Sequence, residues 1–505
     1  MSRRFICAAA LLLIAAGPAP ADPDTKAWWK LTEELSGDEY QGRDTGSEGH
    51  ARAAKQVAKW FKKAGLEPLG DMDDGKRSYF QSVPIHEIAV EKAGTSVAIV
   101  APDGKVTRLE FLRDISVRPT ASLPRSLNAA LALRGYCSPE EIGKDVVGKM
   151  LICFSGRRAG MPKRADIITA AAAAGARGAV LIDDAGFTIE PPRWPEAYAR
   201  SLSTPVSTPP EAPTLAILRL NPDAFLKLMD GTSWGSAVVM ADFMAGMRLP
   251  SADLPTRLVA EFAIKESDFT SQNVVARLPG TDPALAGEAV VVSAHLDGYG
   301  FGEPVDGDNL YNGAFDDAAY VATLVRLADA REIAGGFKRP VVFAAFTGEE
   351  KGLLGARWFV AHPPLPLTGI AANINLDAIR PLFPLKILTL IGHGTSSLTG
   401  TVTEVGQQLG ITVRPDFEPE RGMIGRTDAS AFLAAGIPAV SFMFGYDKGS
   451  PEEAKFRTWY KTRYHKPQDD VTQPIDFQAA ADFNRFFYTP TGNVADAAAK
   501  PVLTK

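Results

Sequence analysis

Cysteine and long apolar runs are both scarce in this sequence. Only three of the 505 residues are cysteine. Cys7 lies in an N-terminal segment that we expect to be removed, so Cys137 and Cys153 can form one disulfide or remain two buried thiols. After the N-terminus no stretch approaches eighteen unbroken apolar residues. The sequence therefore predicts a soluble mature protein with no membrane partner.

The chain also lacks an excess of positive charge. Lysine and arginine number 54, against 59 aspartates and glutamates. Without residues 1–21, which hold two arginines and no acid, the net charge is about −7. This balance gives no electrostatic support for nucleic acid or an anionic membrane as a partner, and it leaves the oligomeric state open.

The N-terminal segment has the pattern of a secretory signal peptide. Arg3 and Arg4 precede an apolar run over residues 5–16, and Ala19-Pro-Ala places small residues at the two positions that determine cleavage. The run is too short to span a bilayer. We therefore expect residues 1–21 to be removed and the protein to be exported by the Sec route, to a periplasmic or secreted location.

The length of the chain predicts at least two domains. Residues 27–66 have helical periodicity, whereas residues 90–260 contain short β-type runs, an alanine-rich helix and a proline-rich loop. From Ser271 apolar strands alternate with helices, which predicts an α/β fold with a doubly wound, mostly parallel sheet flanked by helices. We divide the chain into a signal peptide (1–21), two parts of the sheet domain (22–95 and 263–488), an inserted β-rich domain (96–262) and a frayed tail (489–505).

Potential metal ligands follow one another along the second half of the chain. They are His295, Asp316, Glu350, Asp377 and His465. Three of them end or closely follow a short apolar run of the buried-strand type, and Asp316 lies in the loop after the first run. In an open α/β sheet, ligands collect outside the carboxyl ends of the strands. We therefore expect these five side chains to converge there.

Two histidines and three carboxylates are the donor set that a pair of zinc ions needs. Glu349, directly before Glu350, is then a spare carboxylate that can accept a proton from the attacking water. Adjacent residues cannot share one face of regular structure, so one can bind metal while the other faces the substrate. A Glu-Glu pair at the start of a solvated helix is the common alternative, but the flanking Phe346-Thr-Gly and Gly352-Leu-Leu-Gly argue against it.

His295 and Asp297 are two residues apart, so their side chains point the same way on an extended chain. Asp297 can therefore orient His295 or its neighbourhood and support catalysis from behind the ligand. For this pair alone, a core histidine beside a solvated aspartate is an equal alternative.

Taken together, the motifs resemble peptidase family M28, a family of zinc-dependent exopeptidases. The segments that carry the resemblance are Ser293-Ala-His-Leu-Asp, Tyr311-Asn-Gly-Ala-Phe-Asp-Asp-Ala, Phe346-Thr-Gly-Glu-Glu-Lys-Gly-Leu-Leu-Gly, Asn373-Ile-Asn-Leu-Asp and Arg463-Tyr-His-Lys-Pro-Gln-Asp-Asp. The resemblance implies two zinc ions bridged by Asp316. It assigns His295 and Asp377 to one ion, Glu350 and His465 to the other, and the role of general base to Glu349.

A second resemblance lies in the inserted block. Val147-Gly-Lys-Met-Leu-Ile and Ala173-Ala-Gly-Ala-Arg-Gly-Ala-Val-Leu-Ile are similar to the protease-associated domain, a small β-rich module found inside several exported peptidases. The block contains no recognisable set of metal ligands, so we expect every ligand to lie outside it.

The chain departs from the family pattern at two positions. A small Ser-Gly pair commonly follows the bridging residue, but Ala319-Tyr320 stands here. Relatives commonly carry a histidine directly after the residue that matches Asp428, where this chain has Ala429. These differences concern the helix packing below the site and the substrate contacts near Asp428, not the ligands.

The activity that the resemblance implies is cleavage of peptides from one end. An acidic metal site suits a free α-amino group, which favours an aminopeptidase. A carboxypeptidase of the same family is an alternative, with Arg380, Arg421 and Arg426 as candidate carboxylate-binding residues. A glutaminyl cyclase and a non-catalytic, receptor-like ectodomain are further alternatives, and the complete ligand set together with Glu349 argues against both.

Overall fold

The computed structural model describes residues 22–158, 160–207, 215–230, 232–377 and 379–504. The signal peptide predicted for residues 1–21 lies outside these ranges. Among the described residues, no helix combines the length and the apolar character that crossing a bilayer requires.

The helices are α1 (Pro23–Leu35), α2 (Glu48–Lys63), α3 (Arg164–Ala173), α4 (Phe225–Leu228), α5 (Ser236–Met244), α6 (Ala319–Ile333), α7 (Leu354–Ala361), α8 (Leu398–Gln408), α9 (Ala429–Ala434), α10 (Pro451–Thr462) and α11 (Phe477–Asp496). The strands are β1 (Glu67–Pro68), β2 (Met72–Asp73), β3 (Lys76–Arg77), β4 (Phe80–Val100), β5 (Val106–Leu109), β6 (Ile115–Val117), β7 (Ser126–Arg134), β8 (Met150–Phe154), β9 (Gly178–Ile182), β10 (Ala199–Ser203), β11 (Ala216–Leu220), β12 (Ser251–Leu278), β13 (Ala289–His295), β14 (Gly300–Val305), β15 (Asp308–Tyr311), β16 (Val341–Phe346), β17 (Ile370–Asn375), β18 (Ile387–Ile391), β19 (Thr412–Pro415) and β20 (Ala439–Phe444).

One large sheet runs through both halves of the described chain. In its C-terminal half the strand order is β19-β18-β20-β17-β13-β16-β12. The central strands β20, β17, β13 and β16 run parallel, and β12 closes this half as an antiparallel neighbour of β16. This arrangement confirms the predicted α/β class with a sheet flanked by helices.

The central strands are buried on both faces, which explains why they read as unbroken apolar runs. On one face Val290 and Val292 of β13 pack in a core with α1, α2, α6 and α11. On the other face Val291 packs with Phe359 of α7 and Phe432 of α9. Each fully buried side chain of this size contributes about 1.5–3 kcal/mol through the hydrophobic effect.

Two long strands connect the sheet domain to the inserted block. β4 and β12 pair antiparallel from Phe80 with Val274 to Val100 with Arg257. The boundaries predicted at residues 95–96 and 262–263 fall inside these strands, and the register shifts between Glu261 and Ala263. The chain therefore passes between the two parts as a continuous ribbon, because paired strands satisfy their backbone groups where a linker would leave them to solvent.

The inserted block extends the sheet in the order β12-β7-β8-β9-β11-β6. Its two faces have their own apolar cores, one containing Ile152 and Phe243 and the other Leu151 and Ile167. Cys137 and Cys153 form a disulfide within the block, which decides between the two states that the sequence left open.

The C-terminal segment is not frayed over its first part, so the prediction of a tail from Thr489 is wrong there. Helix α11 continues to Asp496. Thr491, Val494 and Ala495 are buried along one side of it, at the spacing of a helical face. The buried guanidinium of Arg339 donates to the carbonyl of Val494 at 3.2 Å, which fixes the end of the helix.

Candidate functional site

Three strand ends meet at one edge of the sheet. β13 ends at His295, β16 ends four residues before Glu350, and β17 ends two residues before Asp377. Because β13 pairs in parallel with both β16 and β17, the carboxyl ends of the three strands lie side by side. Each strand end thus delivers a polar side chain to the same place, as predicted.

Asp316 and His465 reach this place from two loops that hold each other. Asp316 lies in the irregular turn over Ala314–Ala318 that precedes α6, and His465 lies just after α10 with a φ of 54°. Asp469 connects the loops, because its carboxylate accepts from the backbone N–H of Phe315 at 3.0 Å and its carbonyl accepts from Ala314 N–H at 3.0 Å. The position of His465 therefore depends on the loop that carries Asp316.

Asp316 lies between the two histidines. Its Oδ1 is 3.2 Å from Nε2 of His295, and its Oδ2 is 3.2 Å from Nε2 of His465. Oε2 of Glu350 is also 3.2 Å from Nε2 of His465. One carboxylate with a different histidine on each oxygen has the geometry of a group shared between two cations.

Glu349 lies beside His295, whereas Glu350 lies beside His465. Oε2 of Glu349 is 3.9 Å from Nε2 of His295. The carboxylate of Glu349 thus lies on the side of His295, whereas that of Glu350 also contacts His465. Asp377 lines the same small cavity as Asp316 and both glutamates.

The carboxylate of Asp297 supports Glu349 rather than bonding to the ring of His295. It accepts from the backbone N–H of Glu349 at 2.9 Å and from the hydroxyl of Thr45 at 3.1 Å. Nδ1 of His295 is 3.0 Å from the Asp297 carbonyl oxygen and 3.8 Å from its carboxylate. The carbonyl thus orients the ring, with Nδ1 as donor, and leaves the lone pair of Nε2 directed into the site.

Burial and mutual repulsion shift the acids of the site. Burial and the charge of Asp316 raise the pKa of Glu350 to about 8. Burial also raises the pKa of Glu349 well above its usual range and raises the pKa of Asp377. For Asp316 burial acts in the same direction, but Arg380 and the two histidines outweigh it and hold its pKa well below the ordinary value. The cavity therefore contains more negative charge than its own cations neutralise.

The two histidines respond differently to this environment. Burial and Arg193 lower the pKa of His465 to about 3, which keeps its imidazole neutral, as a metal ligand must be. For His295 burial acts in the same direction, but Asp317 and Glu349 outweigh it and raise its pKa. A proton on His295 and a cation at its Nε2 would relieve the same excess of negative charge.

The donor atoms fit divalent zinc. Within the described residues, three groups have ligand atoms within 4.8 Å of one another: His295 with Asp316 and Asp317, His295 with Glu349 and Glu350, and Asp316 with Glu350 and His465. Oδ2 of Asp316 and Oε1 of Glu350 are buried without a hydrogen-bond partner in the described structure. Imidazole nitrogens with free carboxylate oxygens are typical zinc donors. Asp377 is in none of these groups, although it lines the cavity.

Sequence reasoning missed Tyr299 and understated Asp317 and Asp428. The hydroxyl of Tyr299 lies 2.7 Å from Nδ1 of His465, and its ring stacks on Tyr198 of the inserted block at 5.8 Å. Oδ2 of Asp317 accepts from the backbone N–H of His295 at 3.0 Å. Both oxygens of Asp428 are buried without a partner in the described chain. The one sequence signal for Tyr299 is its place four residues after His295, just beyond the motif that carries this candidate ligand.

Part of this chain is similar in sequence to known peptidases. Residues 273–489 match the sequence model of Peptidase family M28. A probable leucine aminopeptidase 2 from Aspergillus oryzae is 26% identical over 227 residues, which cover 41% of this chain and 42% of that protein. A vacuolar membrane protease from Clavispora lusitaniae is 34% identical over 212 residues, covering 41% and 17% respectively. The chain thus spans about two fifths or less of these curated relatives.

Similar solved structures cover nearly the whole chain. An aminopeptidase from Aneurinibacillus sp. strain AM-1 has a TM-score of 0.62 at 18% identity, over 95% of this chain and 96% of its own. A zinc aminopeptidase from Bacillus subtilis has a TM-score of 0.60 at 16% identity, over 94% and 96%. At these identities the likeness concerns the fold, and it includes the inserted block. Residues 273–489 are therefore the part of this chain that matches peptidase family M28.

Proposed function

We propose that this protein is an exported aminopeptidase that binds two zinc ions and removes N-terminal residues from peptides. The observation that carries the proposal is the position of Asp316, with one carboxylate oxygen 3.2 Å from each of two histidines. A carboxylate shared by two cations offsets their mutual repulsion. His295 and Asp377 would complete one site, and Glu350 and His465 the other.

Asp377 is preferred over Asp317 as the third ligand beside His295. The reason is that Oδ2 of Asp317 is already engaged by the backbone N–H of His295, which leaves only its Oδ1 without a partner, whereas Asp377 lines the cavity between the proposed ligands. Asp317 then fixes the strand end that presents His295. This assignment keeps the ligand set that the family resemblance implies.

Bound zinc would supply Lewis acidity to the scissile carbonyl and lower the pKa of the attacking water. Glu349 would accept the proton of that water. Its carboxylate lies beside His295, and it is Glu350, not Glu349, that contacts His465. The backbone of Glu349 is fixed by Asp297 at 2.9 Å. Burial raises the pKa of Glu349, which is the direction that suits a group that would accept this proton and later donate it to the departing amine.

The excess of carboxylates supports recognition of a positively charged α-amino group. Asp428 is buried, and burial together with the charge of Asp377 raises its pKa to about 8. A protonated or zinc-bound amine would be stabilised by such groups. The names of the relatives, leucine aminopeptidase and zinc aminopeptidase, agree with this direction of cleavage.

A carboxypeptidase is the second candidate, and one observation favours it. Arg380 and Arg426 line the same small cavity as Asp316 and Glu349, so a substrate carboxylate has cations available near the site. The two activities differ in the end of the peptide that must be free.

We further propose that residues 96–262 form a protease-associated domain and that residues 1–21 are a signal peptide. The separate apolar cores of the block support the first proposal. N-terminal sequencing of the exported protein, expected to begin at Asp22, tests the second.

A panel of aminoacyl-arylamides tests the activity directly. The proposed function predicts release of the arylamine from free aminoacyl substrates and none from their N-acetylated forms. Cleavage of N-acetylated peptides at a free carboxyl end would establish the carboxypeptidase instead. Cyclisation of N-terminal glutamine would indicate the cyclase, and inactivity without bound zinc would indicate the receptor-like alternative.

A further inference from the structure

A cleft of about 880 Å³ lies between the inserted block and the metal-ligand cluster. One wall is formed by the loops that follow β8 and β9 of the inserted block. Tyr299 and His465 belong to the opposite wall. The cleft therefore opens directly onto the candidate metal site and is large enough for a short peptide.

Four arginines surround one carboxylate at this cleft. Glu190 has guanidinium nitrogens within 2.7 Å (Arg426), 2.9 Å (Arg193), 3.0 Å (Arg157) and 3.9 Å (Arg421). These arginines hold the pKa of Glu190 far below its usual range, against the effect of burial. The single negative charge of Glu190 cannot neutralise four positive charges. Glu418 lies 3.9 Å from Arg421, but it is also paired with Arg457 and so offsets little of the remaining positive charge.

Part of this excess charge faces the cleft. Arg157 and Arg193 both line it, with 48% and 29% of their side chains exposed. Arg164 lines it as well, and its nearest acid is Asp183 at 3.9 Å. Asp183 is itself bonded at 2.5 Å by Arg219. The wall therefore presents guanidinium groups whose hydrogen-bonding capacity is only partly used.

The arginines lie close to the metal-ligand cluster through one aromatic ring. The ring of Tyr464 packs against His465 in a tilted arrangement with a centroid distance of 3.8 Å. Arg193 lies over the Tyr464 ring at 4.6 Å, and Arg426 donates to the hydroxyl of Tyr464 at 3.2 Å. The guanidinium of Arg193 is thus no more than about 8.4 Å from the ring of His465, a distance that two to three extended residues span.

We propose that this arginine-lined cleft binds a substrate carboxylate one or two residues beyond the scissile bond. The substrate class is then short peptides with a negative charge near the new N-terminus, either the free α-carboxylate of a di- or tripeptide or an acidic side chain. Guanidinium groups bind carboxylates in a planar, bidentate manner, and this geometry selects carboxylates over neutral amides. The inference rests on the proposed aminopeptidase function, because it fixes which end of the peptide enters the cleft.

Matched peptides test the inference on the zinc-loaded enzyme. A tripeptide with a free carboxyl terminus is compared with its carboxy-terminal amide, and a second amide carries aspartate in place of asparagine after the scissile bond. We expect the KM of the free acid to be about tenfold lower than that of the amide. A lower KM for the free acid alone identifies the α-carboxylate as the bound group. A lower KM for both the free acid and the aspartate peptide shows that the cleft binds either carboxylate. Equal KM values for all pairs overturn the inference.

Substitutions then locate the effect. Arg157→Gln and Arg193→Gln should each bring the KM ratio of amide to acid to within about twofold, with the ratio falling at high salt in the wild-type enzyme. Arg485→Gln, on the exposed side of α11, is the matched control and should keep the ratio. An unchanged ratio in both cleft variants overturns the proposal.

These peptides and their N-acetylated forms distinguish a failure of the proposed aminopeptidase activity from a failure of the proposed role of the arginines. Hydrolysis of N-acetylated peptides would contradict the aminopeptidase itself. Equal KM values for acid and amide, with N-acetylated peptides uncut, would contradict only the role of the arginines.

Discussion

The hydroxyl of Tyr299 lies 2.7 Å from Nδ1 of His465, on the side of the ring opposite Asp316. The two rings also pack at 4.5 Å. This contact fixes the ring so that Nε2 faces Asp316 and Glu350. Tyr299 is therefore a positioning residue for His465, the proposed ligand that reaches the site from a loop.

Removing this hydroxyl should weaken one metal site. Tyr299→Phe keeps the ring but loses the hydrogen bond, so we expect about 10- to 100-fold weaker binding of one zinc ion, the range for loss of a group that orients a ligand. Competition with a chelator measures the affinity. Tyr136→Phe, whose hydroxyl donates to a carbonyl in the inserted block, is the control and should bind zinc normally. Unaltered affinity in Tyr299→Phe would show that packing alone holds His465.

The shared position of Asp316 gives a prediction about both ions. Asp316→Asn removes the charge that offsets the repulsion between them, so bound zinc should fall well below two per chain and activity should be lost. Elemental analysis and an arylamide assay measure the two quantities. Asp308→Asn, at the exposed start of β15, should change neither. Retained activity with full zinc in Asp316→Asn would mean that another acid, such as Asp317, is the bridge.

The adjacent glutamates should separate binding from chemistry. Glu349→Gln keeps the shape of the side chain but cannot accept the proton, so it should bind zinc normally. Its kcat should fall by about 10²- to 10⁴-fold with little change in KM. Glu350→Gln should instead lower zinc affinity. Loss of zinc in Glu349→Gln, with normal zinc in Glu350→Gln, would reverse the two assignments.

His50 should make stability depend on pH. It is buried in α2, and burial lowers its pKa to about 4. The folded chain therefore binds its proton less readily than the unfolded chain, and the free energy of unfolding should drop as pH falls from about 6.5 to 4, by about 3 kcal/mol from this group. Above pH 6.5 the group is neutral in both states and contributes no pH dependence.

Chemical denaturation in the presence of EDTA, which removes metal from both proteins, measures this effect as a difference. The wild-type protein should lose about 3 kcal/mol more than His50→Gln between pH 7.5 and 4. The exposed His86, substituted in the same way, is the control. Parallel pH profiles for the wild-type protein and His50→Gln would contradict the prediction.

The sequence was sufficient to predict the position of a candidate ligand where that residue follows a recognisable strand pattern. His295, Glu350 and Asp377 could be predicted because each follows a buried apolar strand, and parallel pairing brings such strand ends together. Asp316 and His465 stood out by residue type and order along the chain, but their assigned roles came from the family resemblance, since nothing in their local periodicity indicates that two loops meet. Their distances are properties of the folded chain.

Other features depend on contacts that no local pattern shows. Tyr299 acquires its role from His465, 166 positions away along the chain. Glu190 lies in a proline-rich loop, and its partner Arg426 is 236 positions away. The helix beyond Thr489 was missed because its apolar face is small and includes threonine and alanine, which pack only because Arg339 and the neighbouring core are present.

We propose that five side chains hold two zinc ions and that both ions share the carboxylate of Asp316. Zinc is added stepwise to the metal-free protein to test this proposal. Calorimetry measures the zinc bound, and an arylamide assay measures the activity at each step. The account predicts two equivalents bound per chain, with full activity only after the second. Saturation at one equivalent with full activity, or no zinc binding at all, would contradict it.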